Sequence, residues 1–383
     1  MKYKMVPMHP QPKAGEIFSS WLVRLSLANG LPLHSFYSGL LNFRQAIWSR
    51  DIDRHPPIGL LECLNHVTKA SISQLNELSL KKYEGLFYDS LSVNGVAPWL
   101  LPLGIYHRTH KLAGMQFCPL CLKNDSSPYY RLKWRIGLIV LCEVHNCVLM
   151  DHCPRCNSPI IFHRHGIGRG KYLHPHCLKY CYACNDNLAA VEPIYPQWPD
   201  LSSQFLLERL IREFDSCPWQ GFPVGADCPL PFFIGLRAIL NLLNGRYGER
   251  LQNSICSQLP IAVVQTSALH FEYLGPARRL HLLLCACWLI QNWPDRFVTS
   301  CRTAGLSRSR ILEEPDASPY WLEAALSNYL DNRTYSPNQE KFLQAAAYLV
   351  SNGLQLSTQN VMRVLGVQRD AARRMIKIWL PYP

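Results

Sequence analysis

Four short pairs of metal-ligand residues, confined to residues 118–184, limit what this chain can fold into more than any other feature. Cys118 and Cys121 (CPLC), Cys142 and His145 (CEVH), Cys153 and Cys156 (CPRC), and Cys181 and Cys184 (CYAC) each leave a two-residue gap. Such a gap lets both members of a pair reach one ion from a single turn of chain. Joined in order, across 20 and 24 intervening residues, the pairs make two complete tetrahedral sets for Zn2+. A full set of four leaves no open position for a reactive water, and Glu143 comes without an HExxH pattern. The zinc ions are therefore expected to be structural and the protein to have no catalytic residue. Each closed site would contribute on the order of 10 kcal/mol to folding a segment otherwise rich in loops. Cys147, His152, His174, His176 and Cys177 lie close by, and replacement of one assigned ligand by Cys177 or His176 stays open.

The cysteine distribution supports this reading. Nine of the 16 cysteines lie between 118 and 184, and the other seven are scattered. The N-terminal 20 residues hold no apolar run of the secretory kind, and the longest apolar stretch, LHLLLCACWLIQ, is short of a membrane span. A cytoplasmic protein is expected, where thiols stay reduced and metal binding displaces disulfides as the default use of paired cysteines. The scattered cysteines then read as small buried apolar residues. The formal net charge is +12, and residues 107–184 alone hold 11 Lys and Arg against 3 Asp and Glu. That excess survives zinc binding and favours a polyanionic partner such as nucleic acid.

Around the cysteine-rich segment the periodicity is helical, so the fold class is expected to be mainly α. Residues 1–113 read as a helix-turn-helix-like domain. GEIFSSWLVRLSLANG sets Phe18, Leu22 and Leu25 at helical spacing before a stop at Gly30, and LPLHSFYSGLL resumes the pattern. PPIGLLECLNHVTKASISQLNELSL then places Pro57 at a helix start, Leu61, Leu64 and Val67 along one face, and Ser71 as the cap of a short helix with Leu75 and Leu78 inward. An ordinary helical bundle would show the same periodicity. Residues 114–195 form the double zinc-binding segment, closed by the proline-spaced EPIYPQWP. Residues 196–333 read as a helical domain, in which GPARRLHLLLCACWLIQNWP is a largely buried helix ending before Pro294 and PDRFVTSCRTAGLSRSRILEE turns at Gly305 with Ser307 as cap. Residues 334–383 read as a C-terminal helix-turn-helix. Ser336, Pro337 and Gln339 suggest a capping box; Val361, Val364 and Leu365 point inward; the chain turns at Gly366; and Ala372, Met375, Ile376 and Trp379 face the core.

Two basic features are candidates for nucleic acid. Arg369, Arg373 and Lys377 recur every four residues on the last helix, with Arg374 beside them, as a helix entering a major groove would present them. A solvated basic face on a protein-docking helix would look alike. GIGRGKY resembles a phosphate-binding loop, but it is one residue short and has Tyr172 where Ser or Thr should hold magnesium. It reads instead as a basic loop offering Arg164, Arg169 and Lys171 to phosphates.

Taken together, PKAGEIFSSWLVRLSLANG, CPLCL, YYRLKWR, CEVH, CPRCNSPI, CYAC and WPDRF resemble the TniQ/TnsD transposition proteins, over roughly residues 7 to 300. The resemblance implies a non-enzymatic target selector, which marks an insertion site and recruits an AAA+ ATPase regulator (TnsC/TniB-like) that directs the transposase. TnsD-like members bind a DNA site themselves. Shorter TniQ members act as adaptors, some docking onto an RNA-guided Cascade complex, often as homodimers. The length of the chain favours the adaptor. Its basic last helix keeps direct DNA recognition as the alternative, with a zinc hydrolase or nuclease as a remote third.

Overall fold

The structure, a computed structural model, describes residues 5–107, 109–165, 177–216, 224–226, 228–311, 318–331 and 337–379. Arg169, Lys171, His174, His176, Ser336 and the side chain of Cys177 lie outside the described residues. Half of the chain is helical against 5% strand, so the class is mainly α, as expected.

Helix α1 (Phe18–Ala28) carries Trp21, Leu22 and Leu25 inward and stops at Asn29 and Gly30, the latter at φ +67°. A one-turn α2 (Leu33–Ser35) widens into a π-type turn through Leu40. Next come α3 (Ile58–Thr68), entered from Pro57, and α4 (Ile72–Asn76), whose cap is the expected Ser71, reciprocated by Gln74. Leu61, Leu64, Val67, Leu75 and Leu78 close the small core these helices share with α1. Between them and the metal segment, β1 (Ile105–Tyr106) pairs antiparallel with β2 (Thr109–His110).

A larger core takes in Ile17 and Val23 beside α1 and buried residues from Leu80 to Leu330. Its first half comes from irregular chain around α5 (Pro119–Asn124): Trp99, Phe117, Tyr130, Trp134, Leu138 and Leu149 are all buried. The second half is helical: α6 (Leu201–Glu213), α7 (Pro229–Asn244), α8 (Gly248–Cys256), α9 (Pro276–Gln291), α10 (Asp295–Thr303), α11 (Arg308–Ile311) and α12 (Tyr320–Ala325). Helix α9 is apolar on nearly every side and packs against α6 and α7, with Cys285 and Cys287 buried as ordinary core residues. No helix among the described residues is long and apolar enough to cross a membrane.

Three buried arginines fix the chain, one within the N-terminal region and two between regions. Arg24 on α1 meets Glu16 through two hydrogen bonds of 2.8 and 2.7 Å, and Glu16 also accepts from Ser20. Arg135 of the metal segment reaches back to Asp51 at 2.7 Å and towards Asp53 at 3.5 Å. Arg279 on α9 donates to the carbonyls of Leu274 and Gly137 and to Gln116. A guanidinium held out of water is costly unless its donors are matched, so each joint fixes one arrangement of the chain.

The last unit packs α13 (Gln339–Ser351), α14 (Thr358–Leu365) and α15 (Arg369–Trp379) around Phe342, Leu349, Val361, Val367, Ala372 and Met375. Two details correct the sequence reading. Val364 is exposed, and Val367, just past the Gly366 turn, takes the inward place. The α13 cap is Asn338, whose side chain accepts from the Lys341 N–H, because the helix begins later than a Ser336 cap would require.

Candidate metal centres

The fold brings all eight sequence-predicted ligands into two clusters: Cys118, Cys121, Cys142 and His145 in one, and Cys153, Cys156, Cys181 and Cys184 in the other. Within each, the donor atoms lie within 4.8 Å of one another.

Two local designs present them. Cys118 caps α5, its Sγ accepting from the Cys121 N–H, and Pro119 occupies the first helical position. The other three pairs share one knuckle. In each, the first cysteine's carbonyl accepts from the N–H four residues on, and its own N–H donates to the carbonyl five residues on: Cys142 with Asn146 and Cys147, Cys153 with Asn157 and Ser158, Cys181 with Asn185 and Asp186. The fourth-residue position is left-handed, at φ +50°, +55° and +62°, and each time it holds asparagine, which tolerates that region better than other side chains bearing a Cβ. Sequence reasoning named the ligands and passed over these asparagines. The repeated spacing of Asn four residues after the first ligand was the available signal.

The distances suit zinc. Nδ1 of His145 lies 3.5, 3.4 and 3.5 Å from the sulfurs of Cys118, Cys121 and Cys142, and the Cys121 and Cys142 sulfurs are 3.5 Å apart. Zn–S bonds near 2.3 Å and a Zn–N bond near 2.0 Å imply tetrahedral edges of about 3.6 Å for N···S and about 3.8 Å for S···S. In the second cluster two S···S edges measure 3.6 Å. Both donor sets can therefore hold zinc, each with four protein ligands. The other ring nitrogen of His145 lies 3.3 Å from the side-chain nitrogen of Asn124.

The other candidates are placed differently. The buried Cys147 thiol sits 3.5 Å from the Cys118 sulfur, outside the tetrahedral set. Hydrogen bonding, chiefly with Cys121, lowers the Cys118 thiol to about 7, and bonds from Cys118, Cys121 and Cys147 hold Cys142 lower still. His152 pairs with Asp151 at 2.8 Å, and Glu143 pairs with Lys133. Arg164 is half-buried near His110 and Tyr182, so it faces protein as much as solvent. Arg369, Arg373, Arg374 and Lys377 all stand exposed on α15.

The first centre is joined to α1 by the residues that carried the family resemblance. Ile17 N–H donates to the Tyr130 carbonyl, Tyr130 N–H to the Ser20 hydroxyl, and Leu132 N–H to the Gly15 carbonyl. Arg131 forms a bidentate pair with Asp125 and stacks on Tyr129 and Trp134. Residues 7–149 match the TniQ family model. That stretch is a TniQ domain. The match takes in the whole first metal cluster and stops short of the second, a narrower span than the resemblance suggested. No curated protein matches the chain. At the level of the family, a TniQ domain supports a role in target selection for transposition.

Proposed function

We propose that this TniQ-domain protein is a target-selection adaptor, which links a target-recognition complex, RNA-guided Cascade among the candidates, to an AAA+ ATPase transposition regulator of the TnsC/TniB kind. The observation that carries the reading is the use made of the matched residues. Ser20 accepts from the Tyr130 N–H between α1 and the first metal centre, Glu16 pairs with Arg24 at α1, and Arg131 and Arg135 pair with Asp125 and Asp51, so all five are committed to buried or half-buried structural contacts. Such residues build a rigid scaffold, and a scaffold acts through its surface. Exposed apolar side chains are available there: Ile58 and Ile72 on the N-terminal helices, and Ile194, Tyr195, Leu201 and Phe205 around the start of α6. Grouped exposed apolar residues mark protein contacts more often than chance placement does.

The test is co-elution of the zinc-loaded protein with the ATPase regulator of its transposon, with nucleotide present. A stable complex is expected, lost in Leu201→Asp/Phe205→Asp while the circular dichroism spectrum is unchanged. No complex with the wild-type protein at micromolar concentration would end the adaptor reading. Light scattering of the same samples would show whether the protein works as a homodimer.

A further inference from the structure

Each of the three knuckles brings one more side chain back to the metal turn. The residue five places after the first ligand offers its carbonyl to that ligand's N–H: Cys147 after Cys142, Ser158 after Cys153 and Asp186 after Cys181. Two of these three side chains meet a ligand sulfur. The Cys147 sulfur lies 3.5 Å from Sγ of Cys118, and the Ser158 hydroxyl lies 3.3 Å from Sγ of Cys156. Asp186 pairs instead with Arg155 at 3.3 Å. The two contacts fall one to each centre, on ligands of opposite exposure, since Cys118 is buried and Cys156 is exposed.

The chemistry of the donor sets fixes which way these contacts run. A cysteine that holds zinc is a thiolate, and a thiolate accepts hydrogen bonds without donating any. A thiol or hydroxyl beside it that keeps its proton is then the donor. Three or four thiolates on one Zn2+ leave a net negative charge. Most of that charge is held out of water, because Cys118, Cys121, Cys142, Cys153 and Cys181 are all buried, and a buried charge is costly unless donors surround it. Backbone groups meet part of the need, such as the Cys121 N–H at 3.4 Å from Sγ of Cys118. Cys147 is itself fully buried and stands outside the four atoms that lie within 4.8 Å of one another, so its proton serves the cluster while its sulfur does not join it.

We propose that Cys147 and Ser158 are positioning residues of the two zinc centres, the first donating S–H to the Cys118 thiolate and the second donating O–H to the Cys156 thiolate. Each carries part of the negative charge that the ion leaves uncompensated and holds the sulfur in its ligating direction. Groups that hydrogen-bond to metal ligands change metal affinity by about 10- to 100-fold when removed. The assignment gives Cys147 a use that requires neither a disulfide nor a fifth bond to zinc. It stands apart from the adaptor reading, since zinc binding is measured on this protein alone.

The experiment is competition for zinc between the full chain and a chromophoric chelator, with cobalt(II) loaded into parallel samples. Cys147→Ala should still take up two zinc ions at saturation and should hold one of them about 10- to 100-fold more weakly. Cys147→Ser restores a donor and should recover most of the loss. In the cobalt form the sulfur-to-metal charge-transfer band should move to lower energy in Cys147→Ala, because a thiolate without its hydrogen bond gives up an electron more readily, and should return in Cys147→Ser. Loss of packing alone would weaken binding without moving that band. Ser158→Ala probes the second centre at a half-buried position that leaves the core intact. It should weaken the other ion by about 10-fold, the lower end of the range because water also reaches Cys156. Asp186→Ala, at the knuckle whose side chain meets no sulfur, should leave the band in place. An unchanged affinity and band overturn the assignment at the first centre if found in Cys147→Ala, and at the second if found in Ser158→Ala. Equal weakening in Cys147→Ala and Cys147→Ser would also overturn it, because the proton would then not be what matters.

Discussion

Asp53 and His110 line the same small enclosed cavity beside Arg135 and carry opposite pH dependences. Burial, with Asp51 adding to it, raises the Asp53 carboxyl to about 7, although Ser19 donates to it twice. Burial, with Arg135 and Arg164 adding to it, lowers the His110 ring to about 3. Unfolded, the two groups titrate near 3.9 and 6.5. Folded Asp53 therefore holds a proton that the unfolded chain lacks between about pH 4 and 7, and its contribution to stability is lost as pH rises through 7. Folded His110 lacks a proton that the unfolded chain holds, so its contribution is lost as pH falls below about 6.5. Across the shared window the two effects oppose. Asp53→Asn should uncover the histidine: its stability should fall relative to wild type as pH drops from 7 to 4.5, on the order of a few kcal/mol. Urea midpoints at four pH values would test this, and parallel curves for the two proteins would refute it. The thiols offer a second test at this scale. Cys121→Ser should reduce bound zinc from two ions to one per chain, whereas Cys147→Ser, outside the tetrahedral set, should keep both when measured by plasma mass spectrometry. Zinc loss in Cys147→Ser would move that residue into the ligand set.

Among the elements, the knuckles depend on a backbone state more than on packing. Asn185 at φ +62° accepts a conformation that costs other residues roughly 1–2 kcal/mol. Asn185→Gly should be tolerated and Asn185→Val should destabilise the second centre by about that amount, seen as faster zinc release to a chromophoric chelator. Equal release rates would show that the turn is held by other means. The same comparison explains what could be read without coordinates. Ligand pairs, the Ser71 cap and the stop at Gly30 follow from local rules and were legible in the sequence. Val364 was not. It fits the 3.6-residue stripe of α14, but the tight turn at Gly366 carries Val367 into the space it would have filled. Nor was the pairing of Arg135 with Asp51, 84 residues apart, because a buried charge finds its partner through the tertiary fold alone. The divisions proposed at 113 and 195 rest on composition, whereas side chains from both sides of each contribute to one core.

On the scale of the whole molecule, that shared core and the separate one in α13–α15 predict how metal and stability are linked. Cys118, Cys121, Cys142, Cys153 and Cys181 belong to the same buried cluster as Phe117, Leu149, Leu207 and Leu283. Removing zinc would leave thiols in that core with no ion to organise them, and a domain only 5–15 kcal/mol stable cannot lose such a contribution twice and stay closed. The unit built on Phe342, Leu349 and Met375 shares no buried residue with it. Chelation should therefore strip amide-exchange protection from residues 117–149 and from α6, α7 and α9, which pack on them, while α13–α15 keep theirs. Hydrogen exchange with mass spectrometry, before and after chelation, measures both at once. Retained protection across 117–149 would show that the cysteine clusters are not needed for folding. Loss in α13–α15 together with the rest would show that the last unit does not stand on its own core.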